Sequence, residues 1–323
     1  MMKIVLESFS SNKLVELESH ANDRISIRGN HTTYDLPAAY KDPRFFIPFN
    51  EIPIKYCPTD RYSYLNKYVK TATKILTWES LTGKILDDAY AYFIKHLKKY
   101  CQTSSHKCMD ISKDFQTSNE NFMKAQDDLI ASELENLLNP PSDKEIIKFQ
   151  LLIEKVLRYE TQLASTLTDY QISMNQDIEI DSIGLLLFPF VTKPTYTVMG
   201  FGITNKAQPD FLFDNRVVID VKSSPWRDEF YITLAGYALA LEKATGRPVN
   251  LGVIVMPDLH DNRNVPFYFR SEIIPIEDKY RKAFLLRREN LLELMKNRID
   301  PGLPVDNTPC KTCRYFMHCF PQP

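Results

Sequence analysis

Hydrophobic positions recur with two different periods along this chain, and the change falls near residue 177. Before that point, apolar residues recur at the spacing of one helical face, as in the series Leu86, Ala89, Phe93 and Leu97. After it, short β-branched and aromatic runs bounded by turn residues predict strands. The pattern therefore predicts a helical first half, followed by a sheet with flanking helices.

The first half divides into an early helical segment and an insertion. The early segment runs from Pro58 to about Tyr100, with a break expected near Ser80 or Gly83. Residues from about 110 to 172 predict an all-helical insertion.

Two proline residues divide this insertion. Pro140-Pro141 is predicted to end one helix. The next helix is predicted to begin at a capping box, Ser142-x-x-Glu145, because each side chain can bond the backbone amide of the other residue.

The second half reads as strands with two helices among them. The predicted strands are 183–191, 195–203, 210–214, 216–224, 251–256 and 265–276, with Asp214-Asn215 as a turn. A helix is predicted from about Asp228 to Ala244 and a basic helix from Lys279 to Arg298. This order predicts an α/β (α+β) fold with a mixed central sheet flanked by helices.

Composition and length fit a globular protein, with 44% apolar and 25% charged residues among 323. No apolar run approaches the ~20 residues of a membrane span, and the first residues lack the pattern of a signal peptide. We therefore expect a cytoplasmic protein with no membrane association. In that compartment the six cysteines are expected to be thiols and metal ligands rather than disulfides.

The predicted organisation has five parts. They are an N-terminal segment of unknown role (1–50), the first helices of the core (51–109), the helical insertion (110–175), the main core (176–300) and a cysteine-rich end (301–323).

The overall charge does not indicate nucleic-acid binding, because the net charge is −1 and the pI is near 6.6. Any such contact must come from a local patch. The best candidate is the basic helix, which carries Arg281, Lys282, Arg287, Arg288 and Lys296. The alternative is a solvated face balanced by Asp278, Glu289 and Glu293.

The residues with the clearest chemistry are two carboxylates and a lysine. Asp220 and Lys222 lie on the same face of a predicted strand, and the turn before it brings Asp210 back toward Asp220. Converging carboxylates suit Mg²⁺ or Mn²⁺, which can activate water and neutralise charge on a phosphodiester, while Lys222 orients the water. The alternative is a surface salt bridge, but Val217 to Val221 read as a buried strand.

A further acid lies on the early helix. Gly83 and Asp87 are one turn apart, and the missing side chain at Gly83 leaves space over the Asp87 carboxylate for a metal ion or a phosphate. The alternative is that Asp87 and Asp88 are a solvated helix face.

Four cysteines form a candidate metal cluster. Cys310, Cys313 and Cys319 crowd the C-terminus, and Cys57 precedes Pro58 at a predicted helix start. Four thiolates can complete a four-iron, four-sulfur cubane or a tetrahedral zinc site, and the spacing alone favours neither. The other two cysteines, Cys101 and Cys108, are expected to be ordinary thiols, and His318 a surface residue.

These motifs resemble those of the PD-(D/E)xK nuclease superfamily in its RecB-like branch. The resemblance rests on Pro209-Asp210, Asp220-x-Lys222, Thr233-x3-Tyr237 and Gly83-x3-Asp87, and covers residues 51 to 100 and about 195 to 323. Asp87 stands where this branch has histidine, and Thr233 where it has glutamine. The cysteine arrangement resembles the iron-sulfur members, especially the CRISPR-associated Cas-four exonucleases and their longer archaeal branch.

The resemblance implies a restriction-endonuclease-like core and a metal-dependent DNA nuclease that trims single strands or overhangs for CRISPR spacer acquisition. It implies that Asp210, Asp220, Lys222 and Tyr237 are catalytic, that Asp87, Asp210, Asp220 and Val221 hold Mg²⁺ or Mn²⁺, and that Cys57, Cys310, Cys313 and Cys319 hold a 4Fe-4S cluster. The implied partners are DNA and CRISPR integrase proteins. Alternatives are a core role for Tyr237, a non-catalytic DNA-end-binding subunit, motivated by Asp87 and Thr233, and a zinc-stabilised interaction protein.

Overall fold

The structure is a computed structural model, and it describes most of the chain. The described residues are 12–31, 34–36, 40–53, 57–69, 76–103, 111–138, 140–174, 190–196, 198, 201–204, 206–213, 216–222, 226–257, 269–306, 310, 313 and 315–320. Their helices are α1 (Asn12–Arg24), α2 (Arg61–Tyr68), α3 (Trp78–Thr103), α4 (Ile111–Glu133), α5 (Asp143–Met174), α6 (Glu229–Thr245), α7 (Asp278–Asn297) and α8 (Phe316–Cys319). Their strands are β1 (Leu76–Thr77), β2 (Leu137–Leu138), β3 (Phe190–Thr192), β4 (Phe211–Phe213), β5 (Val217–Val221), β6 (Leu251–Pro257) and β7 (Phe269–Pro275).

A five-stranded mixed sheet forms the centre, in the order β3-β4-β5-β6-β7. The β5/β6 pair is parallel, because α6 crosses over between these strands, and the other three pairs are antiparallel. All five residues of β5 are buried. This arrangement confirms the predicted mixed sheet flanked by helices.

Helices cover both faces of the sheet. Alternate β5 residues Val217, Ile219 and Val221 pack with α3 and the insertion helices, whereas Val218 packs with α6 on the opposite face. The predicted stripe of α3, Leu86, Ala89, Phe93 and Leu97, is fully buried. Helix α7 packs against α6 and forms an outer layer of the core.

The helical insertion is confirmed as two long helices, α4 and α5, that pack against each other. The predicted capping box is present, since the Ser142 amide donates to Glu145 Oε2 at 2.8 Å and the Glu145 amide donates to Ser142 Oγ at 3.4 Å. The insertion also pairs with the early segment through a short parallel contact of β1 with β2. That strand pair was not predicted.

The expected break near Ser80 or Gly83 is wrong, because α3 runs through both residues. The break falls earlier, between α2 and α3. Ser80 belongs to the start of α3, where its amide donates to Thr77 Oγ1 and its hydroxyl accepts from the Thr77 amide, both at 3.2 Å. Ser80 therefore favours helix initiation at this position rather than a break.

The predicted strand over 195–203 is also wrong for the part of it that is described. This stretch makes only isolated bridges, Tyr196 to Ala207 and Ile47 to Ile203. Gly202 has a φ of 76°, which is incompatible with an extended strand. Most of the predicted strand over 183–191, the turn at Asp214-Asn215 and residues 265–268 lie outside the described residues.

The basic helix is not the positive patch that its sequence suggested. Arg281 and Arg288 on α7 are fully buried. Arg288 donates to the carbonyls of Tyr34 and Phe201, and Arg287 pairs with Asp60 at 2.7 Å. The expected DNA contact is wrong for Arg281 and Arg288, because both are buried, whereas Arg287 is partly exposed in its ion pair with Asp60. Lys282 and Lys296 of the same helix are exposed.

Arg281 instead joins the N-terminal segment to the core. Its guanidinium donates to Glu242 Oε2 at 2.9 Å and to the carbonyl oxygens of Ile27, Val249 and Ile276. Glu242, on α6, also accepts from the Gly29 amide at 2.7 Å. These buried bonds fix residues 27–29 between α6 and α7.

None of the helices in the described part of the chain combines the length and the apolar character that a membrane span requires.

Candidate active site and cysteine cluster

The pairing of β4 with β5 brings two of the predicted acids together. Their register pairs Phe211 with Ile219, so that one further step places Asp210 opposite Asp220. The Asp210 carboxylate accepts the Val221 amide hydrogen at 2.7 Å. This bond fixes one oxygen of Asp210 at the end of β5.

Lys222 lies beside these acids. Its Nζ atom is 2.7 Å from Asp220 Oδ2, and the Asp220 side chain is almost completely buried. Asp220 Oδ2 makes no hydrogen bond of standard geometry within the described residues, and the Lys222 ammonium group is its ion-pair partner. A buried carboxylate oxygen held by an ion pair is suited to a cation.

Asp87 reaches the same site from α3, which covers the other face of the sheet. Burial, followed by the Asp220 charge, raises the pKa of Asp87 to about 7. Burial also raises the pKa of Asp210 well above its ordinary value, with the Asp220 and Asp87 charges acting in the same direction. The three predicted acids therefore form one electrostatic site.

Lys222 partly balances these acids. Burial alone disfavours its charge, but the Asp220 and Asp210 carboxylates outweigh burial and raise its pKa. Lys222 is therefore held as an ammonium ion between the carboxylates and the Phe230 ring, whose centroid is 5.5 Å from Nζ.

Sequence reasoning missed a second lysine at this site. Lys193 follows β3 with a φ of 42°, and its Nζ is 2.8 Å from Asp88 Oδ1 on α3. Burial opposes its charge, but Asp88, Asp87 and Asp210 raise its pKa. Its sequence context, Thr192-Lys193-Pro194, carries no catalytic motif, and only the folded β3/β4 pair brings it to the acids.

Tyr237 and Thr233 are engaged elsewhere. The Tyr237 ring stacks on Phe49 with centroids 4.4 Å apart, within the layer between α6 and α7. Thr233 Oγ1 donates to the Glu229 carbonyl oxygen at 2.9 Å, one turn earlier on α6. These contacts favour the core role for Tyr237 and give Thr233 a backbone partner.

The acids supply suitable oxygen donors for Mg²⁺ or Mn²⁺. The Asp220 charge raises the pKa of both Asp87 and Asp210, and the Val221 amide donates to Asp210. Within the described ranges, no three or more histidine, cysteine or acidic side chains are already close enough to hold a metal ion. The donor types fit a hard cation, while the spacing would have to contract around it.

The four predicted cysteine ligands also converge, although Cys57 is more than 250 residues from the others. All four are free thiols. Burial raises the pKa of Cys310, and Cys57, Cys313 and Cys319 are near enough to raise it further. Cys313 Sγ accepts the Tyr315 amide hydrogen at 3.4 Å, a type of bond that stabilises sulfur ligands.

Protein contacts hold the two halves of this cysteine cluster together. Arg61, on α2, pairs with Asp300 at 2.8 Å and lies beside Cys319, where it opposes the effect of burial on the thiol pKa. Thr59 Oγ1 donates to the Gly302 carbonyl oxygen at 2.9 Å. Four neighbouring thiol groups are soft donors of the type that fits an iron-sulfur or a zinc centre.

Comparison with known proteins supports the nuclease resemblance. A family model described as CRISPR-associated exonuclease Csa1 matches residues 10–321. A CRISPR-associated exonuclease Csa1 from Saccharolobus solfataricus is 25% identical over 267 residues, which are 82% of this chain and 83% of that protein. One from Thermoproteus tenax is 29% identical over 102 residues, or 32% of this chain and 34% of its own. No solved structure matches.

Proposed function

The chain belongs to the CRISPR-associated exonuclease Csa1 family, and on that premise we propose that it is a metal-dependent DNA exonuclease. Its substrates would be single strands or overhangs, trimmed before their integration as CRISPR spacers with the help of integrase proteins. The observation that carries the proposal is the convergence of Asp87, Asp210, Asp220 and Lys222 from three separate elements. Residues from helix α3, from the start of β4 and from the end of β5 meet at one end of the sheet.

The residues of the candidate active site would have different roles in phosphodiester cleavage. Bound Mg²⁺ or Mn²⁺ would supply Lewis-acid stabilisation of phosphate charge and a water of lowered pKa. Asp87, Asp210 and Asp220, with Val221, would hold it, and the Val221 amide fixes the orientation of Asp210. Lys222 would orient the attacking water or stabilise charge that develops on the phosphate.

The cysteine cluster would hold a 4Fe-4S group. Its thiols come from both ends of the nuclease core, so the group would close a long loop and fix the C-terminal segment. A zinc ion is the alternative, and the two differ in iron content and colour. Iron and sulfide assays on anaerobically purified protein distinguish them, because a colourless protein that contains zinc and no iron contradicts the iron-sulfur proposal.

The first test is digestion of end-labelled single- and double-stranded DNA under anaerobic conditions with Mn²⁺ or Mg²⁺. We expect Lys222→Ala and Asp220→Ala to reduce cleavage by at least about a hundredfold, since each removes a group that acts on the transition state. A matched control is Lys243→Ala, because Lys243 also pairs with an aspartate, Asp35, at 2.5 Å but lies on the far part of α6.

The outcomes separate two functions. Metal-dependent cleavage that only the Lys222 and Asp220 variants lose supports the nuclease. A cluster-loaded parent that binds DNA ends tightly without cutting them would support the non-catalytic subunit. That second candidate is favoured by Thr233, whose hydroxyl is bonded to its own helix rather than directed to the acids.

A further inference from the structure

A continuous set of aromatic rings leads away from the candidate active site. Phe230, beside Lys222, is in edge contact with Trp226 at 6.0 Å between centroids. Trp226 makes an edge contact with Tyr231 at 5.3 Å, and Tyr231 stacks on Tyr280 at 4.7 Å with only 7° between the rings. We call Trp226, Tyr231 and Tyr280 the aromatic ladder.

The ladder lies partly at the surface. Its three rings are half-buried, whereas Phe230 is buried and anchors them to α6. The rings come from the segment before α6, from α6 itself and from the first turn of α7. The ladder therefore crosses from the active-site end of the sheet to the start of α7.

Exposed cations lie over the rings at both ends. The Arg270 guanidinium is 5.7 Å from the centroid of Trp226, and Lys279 Nζ is 4.7 Å from that of Tyr280. Both cationic residues are exposed. Their side chains can therefore move to a phosphate group and leave a ring face to a base.

Three acids border the ladder, namely Glu272, Glu277 and Asp228, whose charge acts on Tyr231. Glu272 accepts the Tyr231 hydroxyl hydrogen at 3.0 Å, and Glu277 pairs with Lys279 at 2.8 Å. The Glu277 pair is exposed and competes with any phosphate for Lys279. This competition predicts that removing the Glu277 charge strengthens anion binding at Lys279.

We infer that the aromatic ladder is a binding track for single-stranded DNA, which guides the strand between Lys222 and the start of α7. Half-buried aromatic faces combined with mobile cations are the features that bind single strands without sequence preference. The inference rests on the proposed nuclease function, because that function supplies the strand at Lys222. Under this inference the aromatic ladder, and not the buried arginines of α7, is the local DNA contact of this protein.

The test measures binding without cleavage. All proteins carry Asp220→Asn, so that the strand stays intact, and the probe is a fluorescein-labelled oligothymidylate followed by anisotropy. We expect Trp226→Leu to weaken binding by at least about fivefold, because one base loses its stacking partner. Arg270→Ala and Lys279→Ala should weaken binding and reduce its salt dependence, each by about one phosphate contact.

Two further variants sharpen the test. Glu277→Gln should bind the oligonucleotide more tightly than the background protein, because Lys279 loses its competing partner. Lys296→Ala is the matched control, since Lys296 lies at the other end of α7 with its Nζ 4.8 Å from the Tyr40 ring centroid. The control should bind like the background protein.

A blunt duplex of the same length provides the second comparison. Its paired bases cannot stack on the ladder, so Trp226→Leu should leave duplex binding unchanged. The proposed role of the ladder in binding single-stranded DNA is wrong if the background protein and its Trp226, Arg270 and Glu277 variants bind the oligonucleotide equally. Arg270 and Glu277 are exposed, so that this result does not depend on the folding of the tryptophan variant.

The proposed nuclease function and the proposed role of the ladder in DNA binding can be disproved separately. A parent protein that cleaves no DNA contradicts the nuclease, whereas the anisotropy experiment still reports on the ladder. A parent that cleaves DNA through Lys222, combined with ladder variants that bind normally, leaves the nuclease intact and overturns the ladder.

Discussion

At the scale of single residues, Asp88 and Lys193 set the charge balance beside the three acids. Lys193 is shared between its ion pair with Asp88 and the field of Asp87 and Asp210. Its left-handed backbone conformation is costly for lysine, and such strain is concentrated at functional sites. We therefore expect Lys193 to compete with the cation that the acids would bind.

This competition predicts opposite effects of two substitutions. Asp88→Asn should release Lys193 toward Asp87 and Asp210, and thereby raise the Mn²⁺ concentration for half-maximal cleavage by roughly two- to fivefold, as expected for a partly exposed ion pair. Lys193→Gln should lower that concentration. A Mn²⁺ titration of the cleavage rate measures this concentration for each variant. Equal midpoints for the two variants would disprove the competition between Lys193 and the cation.

At this scale, only part of the candidate active site could be predicted from the sequence. Asp210, Asp220 and Lys222 could be predicted because a strand alternates its faces and a hairpin returns the chain. Lys193 could not, since its place depends on the pairing of β3 with β4. The buried state of Arg281 could not be predicted either, because its partner Glu242 and the carbonyl group of Ile27 come from distant segments.

At the scale of elements, α6 and α7 approach each other through Gly236. A Cβ atom at this position would lie 2.3 Å from the Phe284 ring, which is fully buried and has no room to move. This close approach brings Tyr280, on the first turn of α7, beside Tyr231 on α6.

Gly236→Ala should therefore destabilise the protein by about 1–3 kcal/mol, because overpacking outweighs the gain of about 1 kcal/mol in helix propensity. Thermal or denaturant unfolding measures the change. The double variant with Phe284→Leu should recover part of the loss, since the smaller side chain leaves space. A single alanine variant as stable as the parent would contradict the packing argument.

Local signals predicted most elements, and long-range contacts explain the failures. The capping box of α5 and the predicted end of α6 near Ala244 were correct, because the bonds that define them span only a few residues, as from the Gly246 amide to the Glu242 carbonyl oxygen. The start of α3 and the irregular stretch around Gly202 were read wrongly. The amphipathic pattern does not report that Ile203 bridges to Ile47 from a distant segment.

At the scale of the whole molecule, the cysteine cluster and the contacts beside it hold the C-terminal segment in different ways. Arg61, Thr59 and their partners Asp300 and Gly302 join the early segment to the chain up to residue 302 without any metal. Beyond that point Val305 is fully exposed, whereas Cys310 and Tyr315 are buried. We therefore expect the last residues to depend on the cluster more than the core does.

Cys313→Ala should lose the bound metal but keep the nuclease core. We expect limited proteolysis to cut this variant after about residue 302 faster than the parent, because one anchor of the segment is lost while Tyr315 still contacts Asn66 and Tyr62. Intact-mass measurement of the fragment and metal analysis provide the readout, with Cys101→Ala as the matched control. Unfolding of the entire variant would show that the cluster supports the core as well.

The bonds from residues 26–29 to α6 and α7 have a consequence for biosynthesis. Ile27 accepts its hydrogen bond from Arg281, 254 positions later in the chain. At about 5–20 residues per second, a ribosome needs roughly 10–50 s to make the intervening polypeptide. Throughout that interval the carbonyl group of Ile27 lacks its Arg281 donor, so a chaperone that shields this short stretch would protect the nascent chain until Arg281 is made.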